Sequence, residues 1–167
     1  MKRNSVSMNV GYQLMPKLRL DAAMNWINSG SDNRSSFGPK NEQSIMRILL
    51  MMPRNLDINS LRDYWKPDSA IPTQNSPIYN VNGNIWNNPY FVAYENLNGN
   101  NRDRIYGNVR ATYDFNPDLK LMLRSGRDVY NDNRTIRHAN SMSQHRNGFY
   151  QQDDVYFLET NHDALLT

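Results

Sequence analysis

The chain contains no cysteine, which excludes disulfides, thiolate zinc sites and cysteine nucleophiles. It has no apolar run of about 18–20 residues, so no helix in it is written to cross a bilayer. It has no Lys/Arg cluster: 19 basic and 16 acidic residues are interspersed, the net charge is +3 and the pI is near 9.2. That balance gives no reason to expect a nucleic-acid partner. Apolar residues are also scarce, at 38% of 167, and mean hydropathy is −0.81, which argues against a large core. Aromatics are not scarce. Ten Tyr, three Trp and five Phe are more than a disordered polar chain carries. A porin-type wall has this profile, because every second residue faces its interior and its loops face water.

Catalytic patterns are missing as well. There is no G-x-S-x-G elbow, and His138, His145 and His162 lack metal-ligand spacing and read as surface histidines. With no converging catalytic set, an enzyme is not expected. Asp128, Asn131, Asp132 and Asn133 invite a calcium reading. An EF-hand loop needs glycine at its sixth position and an acid at its twelfth, and here those are Asn133 and Ala139. No cofactor is expected, with looser calcium coordination left open for a complete barrel. Met1-Lys2-Arg3 begins like a leader, but no apolar segment follows, so no signal peptide is read.

What is present is a segment that occurs twice. Gly11-Tyr12-Gln13-Leu14-Met15-Pro16-Lys17-Leu18-Arg19-Leu20 aligns without gaps on Thr112-Tyr113-Asp114-Phe115-Asn116-Pro117-Asp118-Leu119-Lys120-Leu121. Each copy is the end of an alternating strand, a proline turn and the start of a second strand. Val6, Met8, Val10, Tyr12 and Leu14 share one face; Ser7, Asn9, Gly11 and Gln13 share the other. The return strand continues the pattern with Leu18, Leu20, Ala22, Met24 and Trp26 on the apolar face. Ile105, Val109, Ala111, Tyr113 and Phe115 repeat it, and Leu119, Leu121 and Leu123 follow after Pro117. At about 3.3 Å per residue, such segments have the length of tilted bilayer crossings, roughly 9–11 residues.

These patterns predict an all-β chain: a partial transmembrane β-barrel, an antiparallel meander of about four to six strands. Strands are expected at 4–14, 17–28, 102–116, 118–130 and 150–167, the last with its faces unassigned. Surface loops are expected at 29–100 and 131–148. The long loop should hold one or two short helices, one over Asn41–Met52 capped by Asn41 and ended by Pro53, and a second within Asp57–Trp65. Asn88-Pro89 reads as a turn. So few strands cannot close a barrel, since about eight are needed.

The candidate site residues fall in two groups. Arg19, Asp21, Asn25, Arg104, Tyr106, Asn108 and Arg110 lie on the polar face and are candidates for facing the lumen. Alternation alone also predicts polar residues there, pairing with one another. Tyr64, Trp65, Tyr79, Trp86, Tyr90 and Phe91 are loop aromatics able to stack on a sugar or support a lid protein, with packing inside the loop as the alternative at each.

Asn88-Pro89-Tyr90-Phe91-Val92-Ala93-Tyr94-Glu95-Asn96, followed by Arg102-Asp103-Arg104-Ile105-Tyr106-Gly107-Asn108-Val109, resembles the SusC/RagA family of TonB-linked outer-membrane transporters of Bacteroidetes. Asn25-Trp26-Ile27-Asn28-Ser29-Gly30-Ser31-Asp32-Asn33, Gly126-Arg127-Asp128-Val129-Tyr130 and Glu159-Thr160-Asn161 extend the resemblance along most of the chain. The resemblance implies an outer-membrane barrel of about 22 strands. It also implies a plug, a SusD-like surface lipoprotein as lid, and TonB-powered import of glycan oligomers or peptides. The family's signal peptide, TonB-box, plug domain and closing strand have no counterpart here, so residues 1–167 read as a slice of a barrel domain, not functional alone. The alternative is a soluble β-rich ligand-binding module that uses the 28–99 loop.

Overall fold

A computed structural model describes residues 1–34, 44–66, 68, 70–76, 86–143 and 145–167. It is predominantly β. Five antiparallel strands, β1 (Lys2–Met15), β2 (Leu18–Ser31), β3 (Asn96–Asn116), β4 (Leu119–Asn140) and β5 (Asn147–Leu166), form one sheet in that order. Two short helices, α1 (Ile45–Met51) and α2 (Pro89–Glu95), lie between β2 and β3 in sequence, with a 3-10 turn at Ile58–Leu61. No helix among the described residues is long and apolar enough to cross a membrane. The chain divides into two units: residues 1–30, 101–133 and 154–167 form the first, and 31–100 with 134–153 the second.

In the first unit the alternation read from the sequence sets the register. Val6 lies opposite Trp26, Met8 opposite Met24, Val10 opposite Ala22 and Tyr12 opposite Leu20. Directly opposed residues share a face of an antiparallel pair, so the apolar side chains of both strands collect on one side. Ser7 with Asn25, Gly11 with Asp21 and Gln13 with Arg19 collect on the other. A register shift between Gln13 and Met15 leads into the Pro16-Lys17 turn. The Asp114 N–H donates to the Lys17 carbonyl at 2.9 Å, which sets β3 beside β2. Lys120 and Thr167 exchange backbone bonds of 2.7 and 2.9 Å, which sets β5 beside β4. At Gly107 a Cβ would run into the Ala23 carbonyl, so only glycine allows the two backbones to approach this closely.

This sheet unit has no buried apolar core. Val6, Met8, Val10, Tyr12, Leu14, Met24, Ile105, Val109, Tyr113, Phe115 and Leu123 are all exposed. The buried cluster of Ile48, Leu61, Phe91, Val92 and Met142 lies wholly in the second unit.

There, the short elements are fixed by their caps. The Ser44 Oγ accepts from the Arg47 N–H at 3.4 Å and opens α1. The expected cap, Asn41, lies outside the described residues. Pro53 follows the end of the helix, as expected from a residue that has no N–H to donate. Asp57 accepts from the Asn59 N–H at 2.9 Å, but the helix it opens is one 3-10 turn and does not run to Trp65. Asn88-Pro89 is a helix start, not a turn. The Asn88 Oδ1 accepts from the Tyr90 and Phe91 N–H groups, and Pro89 occupies the first position, where its missing donor is not needed.

Both loops are shorter than expected. β2 runs on to Ser31 and β3 begins at Asn96; β4 runs on to Asn140 and β5 begins at Asn147. Asn131–Asn140 lacks apolar alternation, yet it continues β4, and its Ala139 packs on the buried cluster. Only residues 141–146 separate β4 and β5, with Ser141 at φ 77° and Gly148 at φ 81° shaping the bend.

Candidate functional site

The polar face of the first unit holds all seven lumen candidates, three on β2 and four on β3, and most are already engaged. Asp21 receives Arg19 at 3.0 Å and Arg110 at 3.3 Å, so one carboxylate joins two strands. Gly11, opposite Asp21, leaves room for this network; a Cβ there would lie 2.8 Å from the Asp21 Oδ1. Arg104 pairs with Asp128 through two guanidinium donors and lies over the Tyr106 ring at 5.0 Å. Asn25 accepts from the Ser7 hydroxyl at 2.7 Å. Farther along the face, Arg102 pairs with Asp132 at 2.7 Å and Arg124 with Asp163 at 2.7 Å.

An open cleft of about 350 Å³ runs between these pairs, lined by Asn25, Tyr106, Asn108, Arg124, Asp128, Glu159, Asn161 and Asp163. A second, of about 380 Å³, is lined by Asn9, Arg19, Asp21, Asn108, Arg110 and Arg124. Asn108 and Arg124 border both. The β5 contributors Glu159, Asn161 and Asp163 were not among the candidates, because β5 has no clean alternation. The pairing of Asp163 with Arg124 and the stacking of Phe157 on Tyr130 at 4.9 Å assign its odd-numbered residues to the polar face.

This face offers guanidinium, carboxylate, amide and phenol groups in near balance. Such a surface hydrogen-bonds polar solutes and water and carries little net charge. Apart from the buried Asp132, the members of these pairs are open to solvent, which screens their attraction. Among the described residues, no group of three or more His, Asp or Glu is placed to hold a metal. Asp128 is committed to Arg104, and Asn133 donates to Asp154.

The loop aromatics separate into core and surface. Phe91 is fully buried and presents no surface to a ligand or lid, which corrects its place among the candidates. Trp65 meets Phe91 edge-on at 5.3 Å, and Tyr64 stacks on the exposed Tyr94 at 6.1 Å. The Tyr64 hydroxyl donates to Glu95 at 3.0 Å; burial first, then that carboxylate, raises its pKa above the ordinary phenol value. Trp86 carries Arg47 over its ring at 5.0 Å, and Tyr90 packs half-buried against the core. Tyr79 lies outside the described residues. Asn88 was missed as a structural hub. Its side-chain amide donates to the Leu61 and Asn75 carbonyls while its oxygen caps α2.

His138 is not a surface histidine. It is buried, with His145 at 5.1 Å and Phe149 at 5.4 Å between ring centres. Burial first, then the neighbouring His145, lowers its pKa below the ordinary imidazole value. His145 stacks on Phe149 at 4.5 Å.

Compared with models of known protein families and with curated proteins, the chain matches none.

Proposed function

We propose that the chain forms part of the wall of a TonB-dependent outer-membrane transporter of the SusC/RagA type. In this reading the strand segments of the first unit cross the bilayer. Their apolar side faces lipid, and Arg19, Asp21, Asn25, Arg104, Tyr106, Asn108 and Arg110 face a water-filled interior. The excursion between β2 and β3 serves as a surface loop toward a SusD-like lid. The transported cargo is a glycan oligomer or peptide, and the energy comes through TonB acting on the whole assembly.

The observation that carries the reading is the exposed apolar face. A sheet with Val6, Met8, Val10 and Tyr12 exposed on one side, and an ion-paired polar face on the other, has an apolar side without cover in water, which lipid would supply. The stagger of the two proline turns supports it. Lys17 in the first turn is level with Asp114, whereas the second turn lies beyond Asn116. With both turns at one bilayer surface, that offset of about two to three residues over two strand spacings gives a tilt of roughly 35–45°, the range of barrel strands.

The reading is tested by diluting denatured chain into lipid vesicles or into buffer. The expected result is β-structure by circular dichroism that floats with the vesicles and is absent from buffer. A folded, monomeric chain in buffer that ignores vesicles would sink the proposal. The core of the second unit favours one other reading, a soluble β-rich module that binds its ligand with the 28–99 loop, and that second outcome is what it predicts.

A further inference from the structure

We infer that the cleft across β1 to β4 on the polar face is a subsite for a carboxylate carried by the cargo, held by Arg19 and Arg110 with Arg124 beside them. This rests on the wall reading above and adds to it one chemical feature of the cargo.

The polar face is balanced as a whole, but its charge is sorted along it. The cleft of about 380 Å³ is lined by Arg19 from β2, Arg110 from β3 and Arg124 from β4. Asp21 is the one carboxylate in that lining, and Asn9 and Asn108 add amides. The neighbouring cleft has the opposite balance, with Arg124 and Arg127 against Asp128, Glu159 and Asp163. An anion is therefore drawn to the first cleft and turned away from the second. Mutual pairing alone would match each arginine with an acid, whereas Arg19 and Arg110 share Asp21.

Exposure strengthens that preference. The Asp21 side chain is 19% exposed, whereas those of Arg19 and Arg110 are 60% and 48% exposed. The carboxylate is the covered member and the guanidinium groups are the open ones, so a solute in the cleft meets cations first. Asp21 also leaves most of their donors unspent. Arg19 gives it Nε and one Nη, each at 3.0 Å, and Arg110 gives it a single Nη at 3.3 Å. A guanidinium carries five N–H donors in a flat fork that matches the two oxygens of a carboxylate. The contact of Arg19 with Asp21 already uses this fit, and a cargo carboxylate can repeat it on the donors that remain. Arg124, held by Asp163 at 2.7 Å, adds charge to the cleft wall. Gly11 keeps the cleft open, since a Cβ there would lie 2.8 Å from the Asp21 Oδ1 and 3.0 Å from the Arg19 Nη2.

The test uses the full chain refolded into phosphatidylcholine vesicles, with flotation read first. Failure of the unaltered chain to float removes the wall reading, and this inference with it. In the floating fraction, N-trifluoroacetyl-trialanine is titrated by fluorine NMR beside its C-terminal amide, which differs only in lacking the carboxylate. The acid is expected to bind at least about fivefold more tightly than the amide. Arg110→Gln leaves Asp21 paired with Arg19 and is expected to erase most of that difference. Arg19→Gln is run as a second variant with the same expectation. Arg3→Gln removes the same charge outside the cleft and is expected to leave the difference intact. Displacement by methyl glucuronoside at lower concentration than by acetyl-trialanine assigns the carboxylate to an acidic sugar, and the reverse assigns it to a peptide end. Equal affinity for acid and amide would overturn the inference and leave the wall reading standing. So would a floating Arg110→Gln or Arg19→Gln chain that keeps the full difference, or an Arg3→Gln chain that loses as much of it.

Discussion

Phe91 and Ile48 are fully buried in the second unit, while Val10 and Tyr12 in the first are 55% and 65% exposed. Both units spend the same kinds of residue, to opposite ends. In the second unit, apolar residues recur at helical spacing or sit beside caps, and they converge on one another. In the first they alternate along strands, which collects them on one face with nothing to converge on. Composition does not distinguish the two; periodicity does. A sheet with one apolar face needs a second layer, and in the reading proposed above that layer is lipid.

Substitutions that act in one medium and not the other sharpen this contrast. The largest expected effect is Phe91→Ala, which empties the centre of the second unit's core at about 3–5 kcal/mol. It should appear in chemical denaturation followed by Trp65 fluorescence, with vesicle binding through the strands unchanged. An equal loss of vesicle binding would mean that the two units do not fold separately. Next is Val10→Arg on the outward face, at about 2–4 kcal/mol against insertion, whereas Asn9→Arg on the polar face should be tolerated. Equal tolerance of both would erase the distinction between the faces. Asn88→Ala removes a helix cap and two buried donors together, at about 1–3 kcal/mol. It is checked by faster amide exchange over residues 89–95, and unchanged exchange there would remove Asn88 from its role.

The smallest effect is with pH. His138 has a folded pKa below its unfolded one, so the unfolded chain binds the extra proton first. The stability it contributes is complete above about pH 6.5 and is lost as pH falls through the lowered folded value. Melting of the second unit should therefore drop between pH 7.5 and 5.5, and the drop should shrink in His138→Phe. A drop of the same size in that variant would assign the effect to other groups.

The strands around the two proline turns were legible because alternation and turn chemistry agreed there. Residue by residue, Val6 to Tyr12 and Leu20 to Trp26 lie on the faces that their spacing indicated, while the register shift sets Met15, not Leu14, opposite Leu18. The extension of β4 to Asn140 was not legible. Its pairing runs through backbone groups, and Arg134, Arg137 and Asn140 signal a loop by polarity alone. α2 was concealed by its own cap, since Asn-Pro begins both turns and helices, and only the contacts of Asn88 with Leu61 and Asn75 decide between them. Of the polar-face candidates, the residue types indicated the pairing chemistry but not the partners. Asp128 and Asp163 were assigned to Arg104 and Arg124 by strand register, which a single sequence does not carry.

The most direct test of the lipid-facing account is the fluorescence of Trp26 in a chain carrying Trp65→Phe and Trp86→Phe, refolded into vesicles of brominated lipid. Trp26 lies on the apolar face opposite Val6. The account predicts strong quenching by bromine and little by aqueous acrylamide. Quenching by acrylamide with none by bromine would place this face in water and contradict it.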